Sequence, residues 1–183
     1  MNNSVIGLSL GAAWCVVKYI SFLVNPMHTS IVPTVLLNIL FLLSAIAIAL
    51  YITKRNQTEK DSFLGDIKNG LKAGLPYTIL VAVFLFFYYS TINPGFNERQ
   101  IAHTNAKFDL IFDDPKEYQE LKNSNPSFEV MSKEELREEM RKGPKSFYTP
   151  GATMTLSLLA MLLLSTLYSI LVASIYRKIV FRE

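Results

Sequence analysis

Apolar residues in this chain run on without interruption for about twenty positions at a time, over residues 5–24, 31–52, 75–92 and 151–175. They neither alternate with polar residues nor recur only on one face. The hydrocarbon core of a bilayer is about 30 Å thick, and about 20 helical residues cross it. In lipid only a helix or a closed barrel satisfies every backbone N–H and C=O. Barrel strands would be about ten residues long with a polar residue at every second position, and these runs are too continuous for that. The pattern predicts an all-α integral membrane four-helix bundle.

The segments between the runs predict further elements. Residues 25–30, beginning Asn25-Pro26 and ending Thr29-Ser30, read as a tight turn that makes spans one and two an antiparallel hairpin. Ahead of span three, Phe63, Leu64, Ile67 and Leu71 recur at helical spacing while Lys60, Lys68 and Lys72 tend to the other side. That is the pattern of an interfacial helix whose lysines anionic lipid could attract, with Pro76 expected to bend it into the span, and equally of a positively charged stop on a loop. Residues 93–150 are too many for a structureless loop and predict a helical cap. Asp114 with Pro115 starts one helix, which ends at the turn over residues 123–126. Ser132 with Glu135 forms a capping box for another, which Gly143-Pro144 should stop. Phe108, Leu110, Ile111 and Phe112 supply apolar surface to pack these helices together or onto the membrane.

Charge sharpens the picture. The apolar fraction of 50% is within the ordinary range of about 45–50% for soluble domains, but the charges are segregated into the segments between the runs and a short basic tail. Lys54, Arg55, Lys60, Lys68 and Lys72 lie between spans two and three, and Arg177, Lys178 and Arg182 follow span four. Short basic segments stay cytoplasmic, so both termini are expected inside and residues 93–150 outside. The long segment itself holds nine Lys or Arg and eleven Asp or Glu. The shorter segments are denser in positive charge and abut the spans directly, which decides the orientation. The mixed charge of the long segment fits a soluble helical cap better than a nucleic-acid face. Tyr51, Tyr77, Tyr88, Tyr89, Tyr148 and Tyr176 fall near predicted span ends, where amphipathic rings favour the headgroup region, and Trp14 is the mid-span exception. The first run lacks a basic region and cleavage site and is longer than a signal core, so it reads as a retained span. Cys15 is the only cysteine, which leaves no intrachain disulfide to form.

Few residues carry candidate chemistry. Gly7-Leu8-Ser9-Leu10-Gly11 matches the serine-hydrolase nucleophile pattern, but that pattern works through a sharp strand-to-helix turn and here it lies within a spanning helix. No histidine falls inside any predicted span to serve as a base. The same glycines, Gly7 and Gly11, make a face that lets another helix approach closely. Ala45 with Ala49, and Ser165, Ser169 and Ala173, offer comparable packing stripes on spans two and four. Lys18 is the only charged residue within a predicted span, and no Asp or Glu accompanies it there. Six residues from the span end at 1.5 Å each place it about 9 Å deep, near enough to snorkel toward the interface in preference to binding an anion. Asn38 could line a polar pocket, but a hydrogen bond to a neighbouring helix is the preferred reading. His28 and His103 have no ligand at metal-binding spacing, so neither a metal nor a cofactor is expected. Asn56-Gln57-Thr58 would accept a glycan only if it faced a secretory lumen, and it is placed inside.

Ile92-Asn93-Pro94-Gly95-Phe96 at the exit of span three, and Asp66-Ile67-Lys68-Asn69-Gly70-Leu71-Lys72-Ala73-Gly74 at its entry, resemble a family of small four-span bacterial membrane proteins of unknown function, of Bacteroidota type. The resemblance covers nearly the whole chain and brings no catalytic residues with it. It implies a location in the bacterial cytoplasmic membrane and no assigned activity. From the residues, a non-enzymatic interaction or scaffold protein is expected, with residues 93–150 docking an envelope protein or a second copy. The alternative is a small oligomeric transporter or channel with Lys18 and Asn38 along a shared polar path. The partners expected are the lipid bilayer and such a protein, and no nucleic acid.

Overall fold

The computed structural model describes residues 2–26, 32–56 and 62–180. Among these residues eight helices follow in order: α1 (Asn3–Val24), α2 (Val32–Asn56), α3 (Phe63–Phe87), α4 (Gly95–Asp113), α5 (Pro115–Asn123), α6 (Pro126–Glu129), α7 (Lys133–Phe147) and α8 (Pro150–Ile175). Five-residue π-helical turns extend α3 over Tyr88–Ile92 and α8 over Tyr176–Val180. Among the described residues four helices are long and apolar enough to cross a membrane: Asn3–Val24, Val32–Asn56, Phe63–Ile92 and Pro150–Val180. His28, Lys60, Gln57, Thr58, Arg182 and most of the predicted turn over residues 25–30 lie outside the described residues.

The chain divides into two compact units, one of Met1–Phe86 with Met154–Glu183 and one of Phe87–Thr153. The first contains the packing of the long helices, and its seams are built from small residues. A Cβ on Gly7 would stand 2.0 Å from the Ala73 carbonyl oxygen, so α1 and α3 meet backbone to backbone. Gly11, one turn on, lies against Tyr77 and Leu80. On its other side α3 presents Gly70 and Gly74, where a Cβ would strike the hydroxyls of Ser169 and Ser165 on α8, with Ile46 of α2 closing the same space. Ala45 and Ala49 of α2 and Ala173 of α8 are fully buried, and Ile6, Ala49 and Ala73 form one apolar cluster across α1, α2 and α3. Without a hydrophobic drive between helices in lipid, such close contact and interhelical hydrogen bonds hold a bundle together. Large apolar side chains face outward instead, among them Leu8, Leu40, Ile79, Leu163 and Leu167.

The entry to span three differs from the expectation. Among the described residues no separate interfacial helix precedes it: α3 is helical from Phe63 and passes through Pro76. The predicted separation of an apolar and a basic side is not kept, since Phe63, Leu64, Lys68 and Lys72 are all exposed and Ile67 and Leu71 are half-buried. Phe63 and Leu64 are exposed, while Asp66, Asn69, Gly70 and Ala73 are buried. A helix in lipid turns its apolar stripe outward and its small and polar residues toward other helices. The early start also moves Tyr77 well inside the helix, where it is fully buried rather than at an interface. Trp14 is likewise buried, edge-on to Phe84 at 6.1 Å between ring centroids.

The unit Phe87–Thr153 is held by local rules the sequence states openly. Asp114 accepts hydrogen bonds from the backbone N–H groups of Lys116 and Glu117, ahead of Pro115 at the first position of α5. Ser132 and Glu135 exchange both bonds of the capping box at the start of α7. The bond from the Ser132 N–H holds the Glu135 carboxyl below the ordinary glutamate range. Its contribution to stability is therefore present above the unfolded-state value and lost as pH falls through the lower folded one. Gly143-Pro144 does not stop α7, which continues to Phe147. Proline removes one donor, and this helix continues with Tyr148 N–H donating to the Pro144 carbonyl. Residues 95–107, for which the sequence pattern announced no helix, form most of α4. Phe112 and Leu136 are the buried centre. Around them Arg141 Nη2 donates to both carboxylate oxygens of Asp109 at 3.0 Å, and Arg137 reaches Asp109 and Asp113 while its guanidinium lies 5.2 Å from the centroid of the Phe112 ring.

Gly7→Ala should lower the thermal unfolding midpoint of the detergent-solubilised protein, since over-packing against backbone costs about 1–3 kcal/mol. Gly143→Ala, where an added Cβ meets nothing within 4 Å, should leave the midpoint unchanged or raise it, with a stabilisation of up to about 1 kcal/mol. Equal effects at the two positions would contradict the α1–α3 contact.

Candidate functional site

One end of the membrane unit gathers polar side chains from all four long helices. Helix polarity explains why charges of each sign stand where they do. Carboxylates are favoured at helix N-termini and cations at C-termini. Asp66 occupies the first turn of α3, Lys54 the last turn of α2, and Arg177 the final turn that extends α8. Ser62 starts α3 by accepting from the Gly65 N–H at 3.0 Å.

These three residues meet. Arg177 Nε donates to Asp66 Oδ2 at 2.6 Å, and Lys54 Nζ stands 3.1 Å from the same oxygen. The Asp66 side chain is 0% exposed and that of Lys54 1%, while Arg177, at 24%, reaches the surface. The Arg177 guanidinium also lies 5.9 Å from the centre of the Phe63 ring. Asp66 Oδ1 is buried without a hydrogen-bond partner among the described residues. Beside this cluster Asn3 Nδ2 donates to the Asn69 carbonyl, Thr53 Oγ1 donates to Asn3 Oδ1, and Lys72 Nζ donates to Asn69 Oδ1, each at 3.1 Å. The arrangement is a charge clamp: one carboxylate on α3 ties the ends of α2 and α8, and an amide bridge ties the start of α1 to α2 and α3.

Two files of mostly small or polar residues lead from the clamp into the bundle. On α8, Arg177, Ala173, Ser169, Ser165 and Met161 recur every four residues, and on α3 Asp66, Gly70, Gly74 and Thr78 do the same. The two files run antiparallel, with Thr78 and Ser165 hydroxyls 3.2 Å apart and Ser169 Oγ donating back to the Ser165 carbonyl at 2.7 Å. Beyond them the Tyr77 hydroxyl donates to Asn38 Oδ1 at 2.6 Å, and Asn38 Nδ2 donates to Met161 Sδ at 3.3 Å.

The residues singled out in the sequence fall in different places. Gly7, Gly11, Ala45, Ala49, Ser165, Ser169 and Ala173 all lie in the buried seams. Asn38 is bonded to neighbouring helices. Lys18 is buried, at 7% exposure, rather than extended along the outside of α1 in the snorkelled position, because the folded protein covers it. It is not brought together with Asn38 in any contact described. Ser9 stands exposed within α1, with no strand-to-helix turn around it. Asp66 was missed. Its neighbours Lys68 and Lys72 broke the apolar run, so the predicted span began at Leu75 and left the carboxylate outside. The signal that could have found it is the four-residue recurrence Asp66, Gly70, Gly74, Thr78, which marks a packed face entering the charged segment.

Four apolar helices of membrane-crossing length, closed at one end by a buried ionic clamp, define a multi-pass helical membrane protein. Over residues 5–178 the sequence matches the family described as "Protein of unknown function (DUF4199)", and the chain belongs to that family. No match was found among curated proteins or among solved structures.

Removing one partner of a buried ion pair costs about 3–5 kcal/mol, whereas replacing all partners by apolar residues of similar size is often neutral. Asp66→Asn should therefore depress the unfolding midpoint strongly, and the triple variant Asp66→Leu, Lys54→Met, Arg177→Met should recover most of the loss. A single variant as stable as the parent, or a triple variant no better than the single, would show that the clamp does not bind these helices together.

Proposed function

We propose that this protein is a non-enzymatic scaffold of the bacterial cell envelope, anchored in the cytoplasmic membrane with both termini inside, whose unit Phe87–Thr153 docks a protein on the outer side. Its orientation rests on the Lys and Arg of the short segments flanking the clamp. The observation that carries the reading is the construction of that unit. Ion pairs join its own helices, Asp109 and Asp113 on α4 to Arg137 and Arg141 on α7, while Leu110 and Val130 stand 69% and 86% exposed. A compact, charged helical unit with protruding apolar side chains has the makings of an interface, in which a few apolar anchors inside a polar rim carry the affinity. Within the membrane unit Asp66 is engaged with Lys54 and Arg177, and Asn38 with Tyr77 and Met161. Asn38 so engaged gives little support to a transport path shared with Lys18.

A photo-crosslinking residue placed at Val130 in cells should trap one discrete adduct, whose mass tells a second copy from another envelope protein. Leu110→Glu combined with a crosslinker at Val130 should reduce that adduct at least about tenfold, as expected for loss of an interface anchor. No adduct, or the same adduct from a crosslinker at the charged, exposed position Glu120 with Leu110→Glu without effect, would defeat the docking proposal.

A further inference from the structure

The clamp has a consequence for the surface around it. Asp66 is the only acidic residue among the described residues of the membrane unit, and it is spent internally on Lys54 and Arg177. The bases beside it, Arg55, Lys68, Lys72 and Lys178, are all exposed. Each continues a stripe of outward-facing apolar residues at helical spacing. On α2 the stripe is Ile48, Tyr51, Arg55, and on the last turns of α8 it is Leu171, Ile175, Lys178. On α3 it is Ile79, Leu75, Lys72, Lys68, Leu64, so that the lysines have exposed apolar surface on both sides. A soluble partner would not call for cations set in line with greasy stripes on three helices. Lipid does, because acyl chains cover the apolar part and phosphates meet the cationic tips as Lys and Arg extend along it. Tyr51 and Tyr176, paired edge-on at 6.3 Å, mark the same depth on α2 and α8, where aromatic rings favour the headgroup region.

We infer that this end of the membrane unit is a docking surface for anionic phospholipid headgroups, with Arg55, Lys68, Lys72 and Lys178 meeting the phosphates. The internal neutralisation of Asp66 is what leaves the band uniformly positive among the described residues. The surface is separate from the protein-docking unit proposed above, so the two readings stand or fall independently.

The test uses the full chain reconstituted in nanodiscs made with equal amounts of phosphatidylglycerol and phosphatidylcholine, with native mass spectrometry counting the lipids released with the protein. Phosphatidylglycerol should be enriched over the supplied ratio. Each base replaced by Gln should reduce the enrichment by up to about fivefold, so that the quadruple variant R55Q/K68Q/K72Q/K178Q releases both lipids as supplied. The single variants Lys68→Gln and Lys178→Gln should each lose a share, so the outcome does not depend on the quadruple variant folding. R55K/K68R/K72R/K178R, which keeps the charge, should keep the preference. Release of both lipids at the supplied ratio by the parent, or a preference surviving in the Gln variants, would overturn the inference. So would inorganic phosphate raising the unfolding temperature of the detergent-solubilised protein as much as phosphatidylglycerol does, since that would assign the site to free anions.

Discussion

Everything in the membrane unit depends on how closely α3 is approached from two sides. Gly7 brings the backbone of α1 onto Ala73, and Gly70 and Gly74 admit the serines of α8. At these distances a methyl group on Gly7, Gly70 or Gly74 is already too large, and the residues facing them across the seams include the small Ala73, Ser169 and Ser165. In a bilayer this closeness takes the place of the hydrophobic drive, because lipid solvates leucine as well as a protein interior does and only packing and hydrogen bonds favour one helix over the surrounding chains. The outward placement of the leucines and valines follows from the same argument.

Close approach also sets where charge can be held. Once α2, α3 and α8 are drawn together, the first turn of α3 and the last turns of its antiparallel neighbours lie side by side, and the natural preferences of helix ends for opposite charges coincide in space. Asp66 is thereby enclosed between Lys54 and Arg177. Such a cluster adds little net stability, because desolvation offsets most of the attraction, but any alternative register of the helices would strand a charge in an apolar seam. It therefore acts on specificity more than on strength. It also leaves the remaining lysines and arginines of that end unopposed among the described residues, which joins the packing of the helices to the proposed lipid contact.

The unit Phe87–Thr153 obeys a different physics. Water competes for every polar contact there, and the helices are fixed by caps, by the buried Phe112 and Leu136, and by arginines that pair with aspartates while one of them covers an aromatic ring. Exposed pairs of this kind contribute little individually, so the unit owes its form chiefly to local signals and a small apolar centre.

That contrast separates what could be read in the chain from what could not. Four crossing helices, the Asp114-Pro115 start and the Ser132–Glu135 box were legible because each is a property of neighbours in sequence: run length against bilayer thickness, or a side chain within reach of its own backbone. Tertiary structure alone decided that α3 begins at Phe63 and turns Asp66 inward, that Tyr77 is a buried donor to Asn38, and that Lys18 lies under protein. Apolar run length measures how much of a helix faces lipid on average and is blind to which face is covered by another helix. A carboxylate flanked by lysines looks like a loop in that measure, and only the approach of Lys54 and Arg177, both distant in sequence, makes its burial affordable.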